Sequence, residues 1–223
     1  MGLKKKAKAF LYSHKFAQNI YNSICSSLNI LRGGVQLIDH STGKLKKTVL
    51  GKNNKVVLDK GTKINALSLL IRGNNNQVLI GNDCFFGTGC SICIEGNGCT
   101  VKIGDKSTFV YGVHLCAQED GSEIVIGEDC MFSNTIIVRT SDSHPIYDMT
   151  TNARINSAAN VFIGNHVWIA PNTKVFKGVK IGTGAIIGSD TLVTHDVSEN
   201  TLAVGHPAKI VKEKVKWTRE TLY

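Results

Sequence analysis

Histidine is the side chain whose ordinary titration falls near neutral pH, and this sequence has seven: His14, His40, His114, His144, His166, His195 and His206. A neutral imidazole can take a proton from a hydroxyl as that group attacks an electrophile. His144 is the best placed for this. It stands in Ser141-Asp-Ser-His-Pro145, with Asp142 on one side and Asp148 on the other. A catalytic base needs one ring nitrogen toward the substrate and the other held by a carbonyl or a carboxylate. The competing reading is a loop histidine that only ties its own segment down. His166, beside Trp168, reads as an outward-facing polar residue. His14 and His40 have no motif around them.

The seven cysteines are residues 25, 84, 90, 93, 99, 116 and 130. An odd count with one isolated C-x-x-C, Cys90 to Cys93, supports neither a disulfide framework nor a zinc ribbon. Buried packing is the expectation, and it suits a reducing compartment. No metal site is expected. The chain carries 26 Lys+Arg against 17 Asp+Glu, a net charge of +9. That favours anionic partners without choosing among them. A nucleic-acid role has no aromatic platform or recognition helix behind it. No secretory h-region and no run of 18 apolar residues is seen, so a cytoplasmic protein is expected, at the inner membrane surface if its basic N-terminal segment binds there.

The element that must position these residues is a repeat. Ile-Gly recurs at 80–81, 103–104, 126–127, 163–164 and 181–182, with gaps of 23, 23, 37 and 18 residues. The last gap is three hexads: Ile163-Gly-Asn-His-Val-Trp, Ile169-Ala-Pro-Asn-Thr-Lys and Val175-Phe-Lys-Gly-Val-Lys. Six residues make one short strand and one corner, and three strands close a triangular coil. Leading Ile and Val residues point inward and stack on the next coil. Gly and Asn suit the corners, where φ turns positive. The predicted fold is an all-β solenoid, a left-handed parallel β-helix, over residues 48–204.

The 23-residue gaps add five residues to the 18-residue coil. The additions are polar, as in Gly73-Asn-Asn-Asn-Gln, Gly96-Asn-Gly-Cys and Glu119-Asp-Gly-Ser-Glu, and are expected as corner bulges in solvent. The 37-residue gap counts as two coils plus one residue, yet residues 144–160 do not read as hexads. A loop excursion is therefore placed at 143–160, and one that long on a regular solenoid is usually functional. Residues 7–31 carry apolar residues at helical spacing, so an N-terminal amphipathic, basic segment is expected over 1–47. It would cap the open end of the solenoid or touch a membrane or lipid-linked glycan. Residues 205–223 leave the hexad pattern and read as a basic tail or terminal cap.

Taken in order, Ser141-Asp-Ser-His144-Pro, Val-x-Ile-Gly-x-x-Val-Trp168-Ile, Gly-Val-x-Ile-Gly and Val204-Gly-His-Pro-Ala-Lys209 resemble the hexapeptide-repeat acyltransferases. The resemblance covers residues from about 50 to about 212 and is nearest to the bacterial surface-polysaccharide O-acetyltransferases, including those of sialic acid capsules. It implies a homotrimer of parallel prisms with active sites between subunits. Acetyl-CoA would be the donor and a carbohydrate hydroxyl the acceptor, with the net charge of +9 favouring an acidic glycan. His144 would be the base and Trp168 its neighbour across the site. For Trp168 a role in packing between subunits stays open and is compatible with this.

The same resemblance places Ala170 and Ser189 along the pantetheine arm, with Ala170 where the family often has Gly. Thr194 and Lys209 match positions at the far end of CoA, and Lys212 and Lys214 are candidates for its phosphates, against the alternative of a solvated basic face. Asn134, Asp142, Tyr147 and Arg154 form the expected acceptor-binding set. Arg154 could instead pin the loop through Asp142 or Asp148. A γ-type carbonic anhydrase is rejected, because it needs two zinc-binding histidines five residues apart and no pair here has that spacing. An N-acetyltransferase of an amino-sugar nucleotide would use the same fold. A non-enzymatic scaffold would not need a histidine in the loop or a CoA-type C-terminal motif.

Overall fold

A computed structural model describes residues 35–222. The expected N-terminal helix lies almost wholly outside them. Strand pairing already begins at Val35–Asp39 and Thr42–Leu50, so the solenoid starts earlier than 48, and the helical segment cannot extend to 47. The described residues form 21 β-strands in two sheets, of seven and fourteen strands. All pairings are parallel except the last, Thr201–Val204 with Lys209–Glu213.

The seven-stranded sheet is one face of a prism; the larger sheet folds around a corner to make the other two. On the first face, Leu58, Ile80, Ile103, Ile126, Ile163 and Ile181 stand in register, one per coil, and all are buried. On the second, Phe86, Phe109 and Phe132 stack with ring centroids 4.7 Å apart, followed by Ile169 and Ile187. Leu69, Ile92, Leu115, Val138, Val175 and Val193 make the third ladder. These ladders fill the interior, so each coil's apolar residues are buried only once its neighbours are in place.

The Ile-Gly glycines have a different cause from the one expected. They have no positive φ. A Cβ on Gly104 would lie 2.6 Å from the carbonyl carbon of Gly127, and one on Gly127 would lie 2.7 Å from that of Gly164. Close approach of successive coils excludes a side chain. The left-handed corner residues come two positions later, at Asp83, Lys106, Asp129 and His166. At the next corner they are Gly89, Gly112, Thr135, Asn172 and Asp190.

The register shows how the longer gaps are filled. Ile126 pairs directly with Ile163, so the 37-residue gap is a single coil interrupted by the excursion. The polar additions turn their corners in solvent as expected, with Asn74, Asn97 and Asp120 exposed. They extend the third face and then stack coil on coil, with Asn97 Oδ1 accepting from the Asn74 N–H at 2.9 Å and Asp120 Oδ1 from the Asn97 N–H at 2.8 Å. Asn76, Cys99 and Ser122 are buried behind this ladder. The six described cysteines are unpaired, five of them buried, and burial pushes the thiols of Cys84 and Cys130 up to about 11.

The C-terminal segment is an ordered cap rather than a free tail. After the antiparallel strand Lys209–Glu213 it returns along the second face. Trp217, buried, lies over His166 with ring centroids 4.0 Å apart. Arg219 then reaches the Asp129 carboxylate at 2.7 Å.

Candidate active site

The excursion leaves the corner between third and first faces, after Ile137–Arg139, and returns at Val161–Ile163. It folds back on itself: Tyr147 bridges Arg154 antiparallel, and the Ile155 N–H donates to the Ile146 carbonyl at 2.9 Å. The Asp148 carboxylate closes the tip by accepting the N–H groups of Thr150 and Thr151. His144 lies at the base of this hairpin with its side chain exposed. Among the described residues its ring makes no hydrogen bond, and neither Asp142 nor Asp148 orients it.

The backbone of His144 is held instead, by Asn156. That side chain is buried and donates its amide to the His144 carbonyl at 2.8 Å and to Asp142 at 2.9 Å. Its own oxygen accepts the Ile146 N–H at 2.7 Å. Lys177 donates to Asp142 at 2.6 Å and to the Asn156 carbonyl at 2.9 Å. Lys177 and Asn156 hold the Asp142 carboxyl below its usual range.

A second clamp lies beside it. Arg154 makes a fork to Glu119, both bonds 2.7 Å, and Ser141 donates to the same carboxylate at 2.6 Å. These donors hold the Glu119 carboxyl down to about 2. Arg154 therefore pins the loop, through Glu119 rather than through Asp142 or Asp148. Asp142 is likewise a structural tie, and Tyr147 is exposed on the hairpin.

Across the third face, at its corner with the second, runs a groove of about 360 Å³ lined by Thr135, Ile137, Asn172, Lys174, Asp190, Thr191 and His206. Its walls come from successive coils, so it runs along the prism. Asn134, Ala170 and Ser189 belong to the same corner. The Asn172 N–H donates to the Asn134 carbonyl at 2.9 Å, and the Ala170 N–H to the Ile187 carbonyl at 2.9 Å. Thr194 follows Leu192–Val193 on the third face, its hydroxyl 3.0 Å from His195 Nδ1. Lys209 and Lys212 are exposed on the last strand.

Known proteins fit this arrangement. A family model for bacterial transferase hexapeptide (six repeats) matches residues 160–195. A polysialic acid O-acetyltransferase of Neisseria meningitidis is 35% identical over 211 residues, 91% of this chain and 88% of that protein. The solved structure of the polysialic acid O-acetyltransferase OatWY superposes with a TM-score of 0.75 at 30% identity, covering 85% of this chain and 89% of that one. A polysialic acid O-acetyltransferase of Escherichia coli O1:K1 / APEC is 37% identical over 91 residues, 41% of this chain, and the match spans only 30% of that relative's length. The chain belongs to the hexapeptide-repeat acetyltransferases.

For a hexapeptide-repeat acetyltransferase, the sequence-derived residues divide into two groups. His144, Asp142, Tyr147 and Arg154 gather on the excursion; Asn134, Ala170 and Ser189 gather at the groove. Trp168 joins neither. It is half-buried on the second face, its ring 6.0 Å from that of Trp217. His166 is not a free polar residue: its Nδ1 lies 2.7 Å from Asp129 and its Nε2 3.1 Å from the Trp217 carbonyl. Sequence reasoning missed Asn156, Lys177, Glu119, Trp217 and Lys174. Trp217, in a basic tail otherwise poor in aromatics, was the one with a visible signal. Among the described residues no group of three His, Cys, Asp or Glu side chains is placed to hold a metal ion.

Proposed function

We propose that this protein is an O-acetyltransferase that moves acetyl from acetyl-CoA to a hydroxyl of an acidic bacterial surface polysaccharide of the sialic acid type. The observation that carries the reading is the match to the Neisseria polysialic acid enzyme along 91% of the chain. The geometry supports it chemically. A thioester is already activated, so the reaction needs a base for the attacking hydroxyl and a donor toward the developing oxyanion. The unencumbered ring of His144 on a doubly clamped loop supplies the base. The groove along the prism suits an extended pantetheine arm, bordered by Ala170 and Ser189, with Thr194, Lys209, Lys212 and Lys214 toward the nucleotide end.

In this reading the solenoid is left-handed and the protein is a trimer. The groove and His144 occupy opposite margins of the third face, where Ile137–Arg139 alone spans about 10 Å of strand. A base must come within hydrogen-bond reach of its proton. His144 from one chain facing the groove of a neighbour meets that need, and Trp168 then lies on a surface available to an adjoining subunit. The reaction belongs in the cytoplasm, where acetyl-CoA is made, and the basic N-terminal segment could hold it near the membrane.

The purified protein, mixed with acetyl-CoA and polysialic acid, should release free thiol as ester forms. His144→Ala should lower the rate by about 10²–10⁴-fold while the fold is retained, the range expected for a lost general base. Full activity in that variant would remove His144 from the mechanism. No transfer by the wild type to polysialic acid, with transfer to a neutral glycan, would overturn the acceptor.

A further inference from the structure

In the shared centre proposed above the acceptor hydroxyl must come within reach of His144, so the sugar rests against the part of the third face next to that histidine. The outward residues there are Ile137 and Arg139, with His114 and Cys116 from the coil before, and Ser91 and Cys93 before those. We infer that Arg139 is the receptor for a carboxylate of the acceptor glycan. The inference rests on the acetyl-transfer reading above and assigns the acidic group to one side chain.

The described arginines are four, and three have an acid: Arg72 with Glu95, Arg154 with Glu119 and Arg219 with Asp129. Arg139 is the exception. Its Nη2 donates to Ser143 Oγ at 2.6 Å and to Gln118 Oε1 at 3.2 Å, both neutral acceptors. Its Nε is buried with no partner, and no protein acceptor among the described residues meets Nη1. The nearest acid along the ladder is already engaged: Glu95 takes Arg72 at 2.7 Å and the Gln118 amide at 2.8 Å. A half-buried guanidinium short of acceptors is costly, and a carboxylate is the partner that matches its fork.

The surroundings favour an incoming anion. His114 stands beside Arg139, and burial together with that positive charge holds its imidazole below the usual range, so it is neutral at pH 7. Its Nδ1 is taken by Ser91 Oγ at 2.8 Å, and Nε2 remains for a sugar hydroxyl. Ser143, which Arg139 holds, immediately precedes His144. A carboxylate on Arg139 would therefore set the sugar ring beside the base.

The test is binding, independent of turnover. Polysialic acid and its carboxyl-reduced form are titrated into wild type and Arg139→Gln, with acetyl-CoA titrated in parallel. Arg139→Gln should weaken the acidic polymer by about 10- to 100-fold, the worth of one charged hydrogen-bonded contact, and change the reduced polymer by less than about 3-fold. Acetyl-CoA affinity should not move. Arg139→Lys keeps the charge, loses the fork and should fall between; it also serves if the Gln variant fails to fold. Equal weakening toward both polymers, or wild-type preference in the variants, overturns the assignment of Arg139 alone. A wild type that binds acetyl-CoA but not the acidic polymer overturns the acidic acceptor together with it.

Discussion

His144 is free at its ring and held at its main chain, and Asn156 does the holding. The Asn156 amide donates to two acceptors, Asp142 and the His144 carbonyl, while its oxygen takes the Ile146 N–H. Asn156→Ala removes all three and lets the histidine shift without touching any reacting atom. A misplacement of about 1 Å is enough to cost roughly 10²-fold in rate. The expected result is a fall in kcat of that order with the KM for acetyl-CoA unchanged, measured beside a thermal melt that shows the solenoid intact. Asn156→Asp should do no better, since the oxygen that replaces its Nδ2 would face two acceptors, Asp142 and the His144 carbonyl. A KM effect with normal kcat would mean that Asn156 shapes the groove instead. His144 was legible in the sequence because the hexads lapse around it. Asn156, Lys177 and Arg139 were not. Lys177 reaches Asp142 across 35 residues and Arg139 reaches Gln118 across 21, and no local pattern encodes contacts between coils.

Among the elements, the excursion is the one whose attachment is electrostatic. Glu119 and Asp142 tie it to the coils, and both carboxyls are held below their usual values by Arg154 and Lys177. Such a group stabilises fully above its unfolded pKa and ceases to do so as pH falls through the folded one. For Glu119 the window runs from the ordinary carboxylate value of 4.5 down to about 2. The clamp is therefore whole at neutral pH and is released on acidification through that range. Protection factors for amide exchange across residues 143–160 should fall there while Ile124, Val161 and their ladder stay protected. Simultaneous loss in loop and strands would show that the excursion is fixed by packing rather than by these ion pairs. At this scale the sequence exposed the strands and the lapse, because Ile-Gly marks where coils approach too closely for a Cβ. On the 37-residue gap, spacing alone cannot separate two coils from one coil with a hairpin; the failure of residues 144–160 to read as hexads made that distinction. The sequence showed the Asn-rich additions as solvent-facing corners, but not that their polarity serves a ladder of side-chain and backbone hydrogen bonds.

In the whole molecule, the question is how two half-sites on one prism make one reaction centre. A single chain presents His144 at one corner and the groove at another, and its rigid ladders allow no fold-over to join them. Closed symmetry answers this if each centre takes its base from one chain and its groove from the next. Two inactive variants then become complementary. His144→Ala spoils the base, and Lys174→Trp fills the groove, from an exposed strand position that accepts an aromatic ring. Neither should transfer acetyl by itself. If the chain assembles as the proposed trimer, then in mixed assemblies formed by co-expression at equal ratio a centre works when its base comes from the Lys174→Trp chain and its groove from the His144→Ala chain. Random assembly makes that about one centre in four, so activity should return to about a quarter of wild type. If base and groove came from the same chain, every centre would carry one lesion or the other, and the mixture would stay inactive at any ratio. The dependence on ratio separates the cases further, since shared centres predict a maximum at equal proportions and a symmetrical fall on either side.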